Sequence, residues 1–575
     1  MTATVDRVEG RQPLLDWAWS LVRLDFVGIV FGALFFCASL TPSLLPRDWL
    51  FAGIVGGLNA AVGYGVGVVI GKLFRRMVLR ERSWWPPSRA VLWWLKALTV
   101  VGSIALCTAM VVPAAAWQRQ VSALMGIAGP ATLGYYRALV VAVLFGAAVV
   151  AVSRVVLDAI RLLARILIRR WHVNDEVALF IGTAVVVVLI LTLVNGVLFR
   201  GFLAGASRVF QPQNTTTRPG LEQPTDPERS GSPASFARWD TLGYQGRNFV
   251  ATGPDAGELT RLNGRPAKEP IRVYAGLQSA ATDLGRLSIL MTERTHAFDR
   301  KVLAIVPTTG TGWVNPIAAR SLELMYNGDT AIVALQYSYL PSWISFAGDV
   351  EKSADSGRML INAVHDRMER LPDDRRPKLL LYGESLGSLA GQAAFGYLPD
   401  ISRMGFDSVL WVGPPNASTL WRALIERRDP GSTEVAPRYD AGRTVRFSEG
   451  GSAAEIQRDT AAPWLGTRVL FLQHPSDPIV WWSSDLLFSR PDWLSEPPGR
   501  DRSPAMRWYP FVTFSQVGVD VLKAVEMPDG HGHNYGSDVL DGWVAVAPPD
   551  GWTSADTERV RAALADTIHE DGPLS

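Results

Sequence analysis

The first 200 residues contain four stretches without a charged side chain, each long enough to cross a lipid bilayer. A membrane-spanning helix needs about 20 residues, and these stretches of 21 to 23 residues cover 26–46, 49–70, 97–118 and 177–199. A fifth stretch, 138–153, is shorter and extends to 157 if the charge of Arg154 turns toward the membrane surface. The sequence therefore predicts about five transmembrane helices.

The basic residues between these helices predict their orientation. The loop between the third and fourth helices has only Arg119 and Arg137. The loop after helix two holds Lys72, Arg75, Arg76, Arg80, Arg82 and Arg89, and the loop after helix four holds Arg154, Arg161, Arg165, Arg169 and Arg170. Loops rich in Lys and Arg stay in the cytoplasm. We therefore expect a multi-pass protein of the cell membrane whose C-terminal part is extracytoplasmic.

Charge and cysteine content separate the chain into parts and exclude several functions. Residues 1–202 carry 19 Lys and Arg against 9 Asp and Glu, and residues 203–575 carry 37 against 45. Neither part has the basic surface of a nucleic-acid-binding protein. The two cysteines, Cys37 and Cys107, exclude a disulfide framework and a four-cysteine zinc site. We predict a transmembrane domain at 1–202, a linker rich in Pro, Thr, Ser and Gly at 203–240, and a catalytic domain at 241–575.

Strand-like and helix-like segments alternate in the last part of the chain. The apolar runs expected as strands are 271–277, 302–307, 330–337, 378–382, 408–412, 468–473 and a last one near 522–526, and the helices between them include 318–326 and 354–371. Such alternation predicts an α/β domain with a mostly parallel sheet. Ligands of these sheets bind beyond the carboxyl ends of the strands.

The segment Gly-Glu-Ser-Leu-Gly at 383–387 suggests an activated serine. It follows a short buried strand and precedes a helix of small residues, which is the context of a nucleophile elbow. Gly383 and Gly387 leave room for the tight turn. Ser385 is the candidate nucleophile, and the competing interpretation is an ordinary strand–turn–helix corner.

A serine nucleophile needs a base and an orienting acid, and in this type of domain they follow the serine in the order acid, then histidine. Asp477 comes directly after a predicted strand and is the candidate acid. His531 and His533 lie in the loop after the last predicted strand; either is a candidate base, and His533 is preferred. A competing interpretation makes these two histidines metal ligands together with Asp529 and Asp538, but their spacing is not that of a zinc site. We predict no metal and no cofactor.

The developing oxyanion of an acyl transfer needs hydrogen-bond donors. The first candidate is the backbone N–H of Leu386, the residue after the nucleophile. The second is Thr309 or Gly310, in a glycine-rich loop that follows a predicted strand and lacks the Gly-Lys-Ser/Thr ending of a phosphate-binding loop. Many aromatic residues near the candidate site form either an acyl-binding cap or ordinary core. Some lie at 337–346, and eight others are Trp464, Trp481, Trp482, Phe488, Trp493, Trp508, Tyr509 and Phe511.

These features together resemble the α/β-hydrolase superfamily, and within it the actinobacterial membrane-anchored α/β-hydrolase family. The similar segments are the N-terminal helices, "PTTGTGWVNP", "YGESLGS", "HPSDPIVWW" and "DGHGHNYG". The resemblance implies that Ser385 is the nucleophile, Asp477 the acid and His531 or His533 the base. The oxyanion loop departs from the His-Gly type found in such hydrolases.

The sequence thus favours a membrane-bound serine hydrolase of the esterase or lipase type. We expect its substrate to be an acyl ester or thioester of a lipid or cell-envelope component, and transfer of the acyl group to another hydroxyl uses the same chemistry. A non-catalytic envelope scaffold or transport accessory protein is the main alternative, and a peptidase with the same triad is another. The spans lack a central acidic residue, which favours an anchor over a transport pathway.

Overall fold

The computed structural model describes residues 24–77, 89–279, 284–458 and 462–570. The N-terminal region is helical, and a second region that contains a β-sheet follows it along the chain. Its elements are α1 (Phe26–Ser39), α2 (Trp49–Met77), α3 (Arg89–Leu124), α4 (Thr132–Tyr135), α5 (Arg137–Trp171), α6 (Asp175–Leu191), a π-helix (Thr192–Leu198) and α7 (Phe199–Thr215). Among the described residues, four helical segments are long and apolar enough to cross a bilayer. They are Trp49–Met77, Trp93–Leu124, Thr132–Trp171 and Asp175–Val194.

The first predicted helix is shorter than the uncharged stretch 26–46. Helix α1 has 14 residues and ends at Ser39. The segment 40–48 contains Pro42 and Pro46, which cannot donate to a helix, and it packs against the second region of the chain. Glycines of α2 allow close packing on both sides: a Cβ at Gly67 would lie 2.5 Å from the carbonyl oxygen of Val27, and one at Gly57 would lie 2.6 Å from that of Ala142.

The segment predicted as a linker, 203–240, begins inside α7, which continues to Thr215. Residues 216–240 have turns and a short 3-10 helix (Trp239–Thr241). Asn214, near the end of α7, accepts a hydrogen bond from the Gln336 side chain at 2.9 Å. The domain limits themselves remain a prediction.

The second region is built on seven parallel strands with helices between them. The strands are β1 (Ile271–Ala275), β2 (Val302–Pro307), β3 (Thr330–Leu335), β4 (Lys378–Glu384), β5 (Ser408–Val412), β6 (Val445–Ser448) and β7 (Arg468–Leu472). Their order across the sheet is β1-β3-β2-β4-β5-β7-β6, and every pair is parallel. The strands are buried on both faces, which is why they appear in the sequence as continuous apolar runs.

The helices of this region cover both faces of the sheet. They are α8 (Gly243–Ala251), α9 (Ala256–Asn263), α10 (Leu284–Arg294), α11 (Pro316–Met325), α12 (Ser342–Gly348), α13 (Val350–Met368), α14 (Leu386–Gln392), α15 (Leu398–Arg403), α16 (Thr419–Glu426), α17 (Ala453–Arg458), α18 (Pro478–Trp481), α19 (Asp492–Ser495), α20 (Val512–Asp520), α21 (Asp538–Val546) and α22 (Ser554–Glu570). Helices alternating with parallel strands are the arrangement of an α/β-hydrolase domain, and the predicted fold class is confirmed.

The prediction of a last strand near 522–526 is wrong. Residues Val521–Glu526 form a 3-10 helix outside the sheet, and the remaining strand is instead β6, at the sheet edge. A short apolar run has the same composition in a buried strand and in a buried helical turn, so periodicity could not distinguish them. This 3-10 helix lies beside the candidate site described next.

Candidate active site

Ser385 occupies a sharp turn at the carboxyl end of a central strand. It directly follows β4 and precedes the first residue of α14, with φ 53° and ψ −125°. A non-glycine residue with positive φ is strained and is often found at functional sites. The backbone N–H of Ser385 donates to the carbonyl oxygen of Val412 at 2.9 Å, which ties the turn to β5.

The glycines on either side make this turn possible. A Cβ at Gly383 would lie 2.6 Å from the carbonyl oxygen of Gly387, and one at Gly387 would lie 2.3 Å from that of Pro307. Both distances are far below van der Waals contact, so the strand, the turn and the helix come this close only without side chains at these positions. The local geometry is therefore that of a nucleophile elbow.

His533 and Asp477 form a buried pair near the elbow. His533 Nδ1 donates to Asp477 Oδ2 at 2.6 Å, and the carboxylate is completely buried. The same oxygen accepts the Tyr535 hydroxyl at 2.8 Å, and Oδ1 accepts the backbone N–H of Ile479 at 2.8 Å. Burial acts to lower the pKa of His533, but the charge and hydrogen bond of Asp477 outweigh it and raise the pKa above its ordinary value.

Ser385 and His533 line one cavity. His533 Nε2 is buried and has no hydrogen-bond partner among the described residues. Since Nδ1 carries the proton donated to Asp477, Nε2 of the neutral ring is an acceptor, on a side chain that lines the same cavity as Ser385. Hydrogen bonds between such groups are often long before substrate binds.

His531 points elsewhere. Its Nδ1 lies 3.0 Å from Asp501 Oδ2, and Asp501 also accepts the Ser476 hydroxyl at 2.6 Å. Ser476 Oγ in turn accepts the N–H of Gly532 at 2.9 Å. These bonds hold the loop that carries His533, and His531 is not among the residues that line the cavity.

The four side chains considered as metal ligands do not converge. His531 is bonded to Asp501 and His533 to Asp477, Asp538 Oδ2 is 3.0 Å from His474 Nε2, and Asp529 accepts the Ser537 hydroxyl at 2.8 Å. Three histidines of this region are thus paired with three different carboxylates. Of these three, only His533 is among the residues that line the cavity.

Gly413, which the sequence did not single out, gives His533 its space. It follows β5 with φ +52°, and a Cβ there would lie 2.5 Å from His533 Cε1. The left-handed backbone and the contact both require glycine. Its signal in the sequence was weak, because one glycine after an apolar strand is ordinary.

The candidate oxyanion donors lie beyond the carboxyl ends of the strands, as Ser385 does. Thr309 lines the cavity, and its buried hydroxyl has no hydrogen-bond partner in the part of the chain that the structure describes. Gly310 packs against the 340–342 backbone, since its Cβ would lie 2.5 Å from the Leu340 carbonyl oxygen. Leu386 is the first residue of α14, where N–H groups lack partners within the helix.

Glu384, inside the elbow motif, is a buried carboxyl group on the cavity wall. Its Oε2 accepts hydrogen bonds from Asn315 Nδ2 at 2.7 Å and from the Tyr382 hydroxyl at 2.5 Å. Burial raises its pKa, against the lowering effect of those two hydrogen bonds. The two donors hold this side chain in place next to the nucleophile.

Most of the predicted aromatic cap is core. Trp481 and Trp493 are buried and pack on each other with ring centroids 5.6 Å apart. None of the aromatic residues from 464 to 511 is among the residues that line the cavity, whereas Phe346, from the earlier aromatic stretch, and Trp313 are.

A wall of the cavity is attached to the N-terminal helices. Asp520, the last residue of α20, accepts hydrogen bonds from the Ser43 hydroxyl (2.5 Å), the N–H groups of Leu44 (3.2 Å) and Leu45 (3.3 Å) and Arg47 Nε (2.8 Å). We call residues 39–48 with Gln516 and Asp520 the helix clamp. Gln516 Nε2 belongs to it because it donates to the carbonyl oxygens of Ser39 and Thr41, each at 3.0 Å.

Two family models match this chain, and together they cover both regions. A model described as "Alpha/beta-hydrolase family" matches residues 271–560, and a model described as "Alpha/beta-hydrolase family N-terminus" matches residues 40–254. The first match contains the whole sheet, the elbow and the His533 loop. No curated protein and no solved structure matches the chain.

Proposed function

Because the chain belongs to the alpha/beta-hydrolase family, we propose that it is a membrane-bound serine hydrolase that cleaves or transfers an acyl ester or thioester. The observation that carries the proposal is the shared cavity of Ser385 and His533, with His533 held by Asp477. Its substrate would be an acyl ester of a lipid or of another component of the cell envelope, since the apolar helices fit a membrane protein.

The proposed reaction proceeds through an acyl-enzyme. Ser385 Oγ attacks the carbonyl carbon while His533 Nε2 takes its proton, and Asp477 stabilises the imidazolium that forms. The N–H of Leu386 and a donor of Thr309 hold the oxyanion. Collapse of the tetrahedral intermediate breaks the bond to the alcohol or thiol, which leaves with the proton from His533. Water or a second hydroxyl, deprotonated by His533, then releases the acyl group.

The geometry favours His533 over His531 as the base. Both His533 ring nitrogens serve the mechanism: Nδ1 is bonded to Asp477, and Nε2 has no partner among the described residues. The His531 ring is bonded to Asp501, and His531 does not line the cavity. The role proposed for His531 is to hold the loop.

A covalent probe tests the proposal. Full-length protein in detergent is treated with an ethyl-substituted fluorophosphonate, and the adduct is located by mass spectrometry. We expect labelling on Ser385, none in Ser385→Ala, strong loss in His533→Ala and retention in His531→Ala. A native protein that is folded by circular dichroism and resists the probe would favour the non-catalytic scaffold instead.

We also propose that the hydrolase domain lies outside the cytoplasm, on the argument from basic loops given above. Single cysteines replace Asp373, whose side chain is 91% exposed, or Arg169, in the last turn of α5 within the second basic segment, in a background lacking Cys37 and Cys107. An impermeant maleimide added to intact cells should label position 373 and not 169. The reverse pattern would place the domain in the cytoplasm.

A further inference from the structure

The cavity at Ser385 is small. It encloses about 70 Å³. An apolar cavity of about 150 Å³ holds one benzene molecule, so about half that volume accommodates an acyl group of roughly two to four carbons. The volume thus limits the part of an ester that lies beside the nucleophile.

The lining of the cavity matches an uncharged aliphatic group. Most of its residues are apolar: Trp313, Phe346, Ile479, Val521, Leu522, Ala524 and Val525. Its carboxyl group, Glu384, is already bonded to Asn315 and Tyr382, so it is not placed to bind a substrate cation. A short hydrocarbon chain fits these walls.

The wall formed by the 3-10 helix Val521–Glu526 is fixed at both ends. Its N-terminal end follows Asp520, which the helix clamp holds. Near its C-terminal end, the carbonyl oxygen of Ala524 accepts the N–H of His533 at 2.8 Å, and that of Met527 accepts Asn534 Nδ2 at 2.8 Å. Moving this wall outward would break a buried ion pair or displace His533, so the cavity cannot widen freely for a long chain.

The larger apolar cavity of the helical region does not extend this space. It has a volume of about 520 Å³ and lies between α1, α2, α3 and α5, where Phe36, Tyr64 and Val143 are among its lining residues. None of its lining residues lines the Ser385 cavity. A long acyl chain whose carbonyl is at Ser385 therefore has no continuous path into it.

We infer that the site is selective for short-chain acyl esters, from acetyl to butyryl, carried on a larger alcohol that remains outside the cavity. This inference rests on the proposed function and narrows its substrate class. A longer acyl chain must extend out of the cavity or displace the wall that the helix clamp holds. Each methylene group that a pocket cannot hold lowers kcat/KM by roughly 10–200-fold.

The test compares p-nitrophenyl acetate, butyrate and octanoate with full-length protein in one detergent. We expect kcat/KM for octanoate to be lower than for butyrate by at least about tenfold. Equal or higher kcat/KM for octanoate, in a protein whose Ser385 is labelled by the fluorophosphonate, would overturn the inference and leave the proposed function intact. Absence of labelling would overturn the proposed function, and the inference with it.

A matched pair of variants distinguishes selectivity that comes from the cavity from an apparent selectivity that comes from the detergent. Phe346 and Phe514 both pack on Trp482, with ring centroids 6.1 Å and 5.2 Å away, but only Phe346 lines the cavity. Phe346→Ala should raise the ratio of kcat/KM for octanoate to kcat/KM for butyrate by at least about tenfold, while Phe514→Ala should leave this ratio unchanged. Partitioning of octanoate into micelles is the same for both variants and cancels. Equal ratios in the two variants would contradict the assignment of Phe346 to the acyl pocket.

Discussion

Arg47 and Asp520, 473 residues apart, form a buried ion pair between the helical region and the hydrolase domain. Arg47 Nε is 2.8 Å from Asp520 Oδ1, and the two side chains are 3% and 0% exposed. Asp520 directly precedes the 3-10 helix that lines the Ser385 cavity. The N-terminal helices therefore hold part of the site in place, in addition to any role as an anchor.

Replacing Arg47 by methionine tests this attachment. The Arg47→Met variant keeps an apolar stem and leaves the Asp520 carboxylate buried without its counter-charge, which costs about 3–5 kcal/mol. We expect the free energy of unfolding of the full-length protein in detergent to fall by about that amount. Labelling of Ser385 should slow as well, because the wall after Asp520 loses its support.

The control is an exposed ion pair of the same residue types. Arg238 is bonded to Asp240 at 2.6 Å, with side chains 78% and 62% exposed. Arg238→Met should change the free energy of unfolding by no more than about 1 kcal/mol. Equal effects of the two arginine substitutions would mean that the helix clamp adds no more stability than a surface pair.

The contact between residues 43–47 and Asp520 could not be predicted from the sequence, because its partners lie more than 470 residues apart along the chain. Neither Ser43 nor Asp520 belongs to a motif, and nothing local indicates that a loop between two apolar helices satisfies a carboxylate far along the chain. The first helix stops at Ser39 although the uncharged stretch continues to Pro46. Pro42 and Pro46 disfavour a longer helix, and the segment after Ser39 is held instead by its contacts with Gln516 and Asp520.

The buried strands and the elbow were predictable because their physical requirements are local. A parallel strand covered on both faces must be apolar throughout, and a tight turn with close packing needs small residues, as at Gly383 and Gly387. The order of Ser385, Asp477 and His533 along the chain gave their candidate roles. The sequence preferred His533 over His531 only weakly, since both lie in one loop. The structure supports that preference through the different partners of the two rings, Asp477 for His533 and Asp501 for His531.

The charge of Asp477 should set the acid side of the pH profile. The acid limb of kcat/KM reports the pKa of the base in the free enzyme, and His533 acts only when Nε2 is unprotonated. Asp477 raises this pKa against the effect of burial, so Asp477→Asn should lower it and move the acid limb to lower pH. The activity itself should fall by about 10⁴-fold, as in the known triad with this change.

The corresponding change at the other histidine is the control. Asp501 is bonded to His531 at 3.0 Å, so Asp501→Asn alters the partner of His531 and leaves the Asp477–His533 pair in place. The acid limb should not move in this variant. A shift with Asp501→Asn and none with Asp477→Asn would identify His531 as the base.

Gly413→Ala should disable the site through one methyl group. The new Cβ would lie 2.5 Å from His533 Cε1 and must displace the ring. A displacement of about 1 Å costs roughly 100-fold in rate, which the second-order rate of fluorophosphonate labelling would measure. Gly405→Ala is the matched control, because Gly405 also has positive φ, +76°, with no atom within 4 Å of its Cβ position. A similar loss in both variants would attribute the effect to backbone strain.

The Thr309 hydroxyl should contribute to the reaction and not to stability. It is buried on the cavity wall, and no partner for it is found among the described residues. Thr309→Val keeps the shape and removes only this donor. If the hydroxyl binds the oxyanion, kcat should fall by about 10²–10³-fold, while the free energy of unfolding stays equal or rises slightly because an unsatisfied polar group is lost.

Thr330→Val provides the comparison for this last prediction. Thr330 also has a buried hydroxyl without a partner in the described structure, but it begins β3, at the amino end of the sheet, whereas the site lies at the carboxyl end. The variant should match the native kcat and show the same small change in stability as Thr309→Val. A Thr309→Val protein with native kcat would exclude the hydroxyl and leave the backbone N–H groups of Leu386 and Gly310 as the candidate oxyanion donors, since the N–H of Thr309 donates to the Trp313 carbonyl oxygen at 3.4 Å.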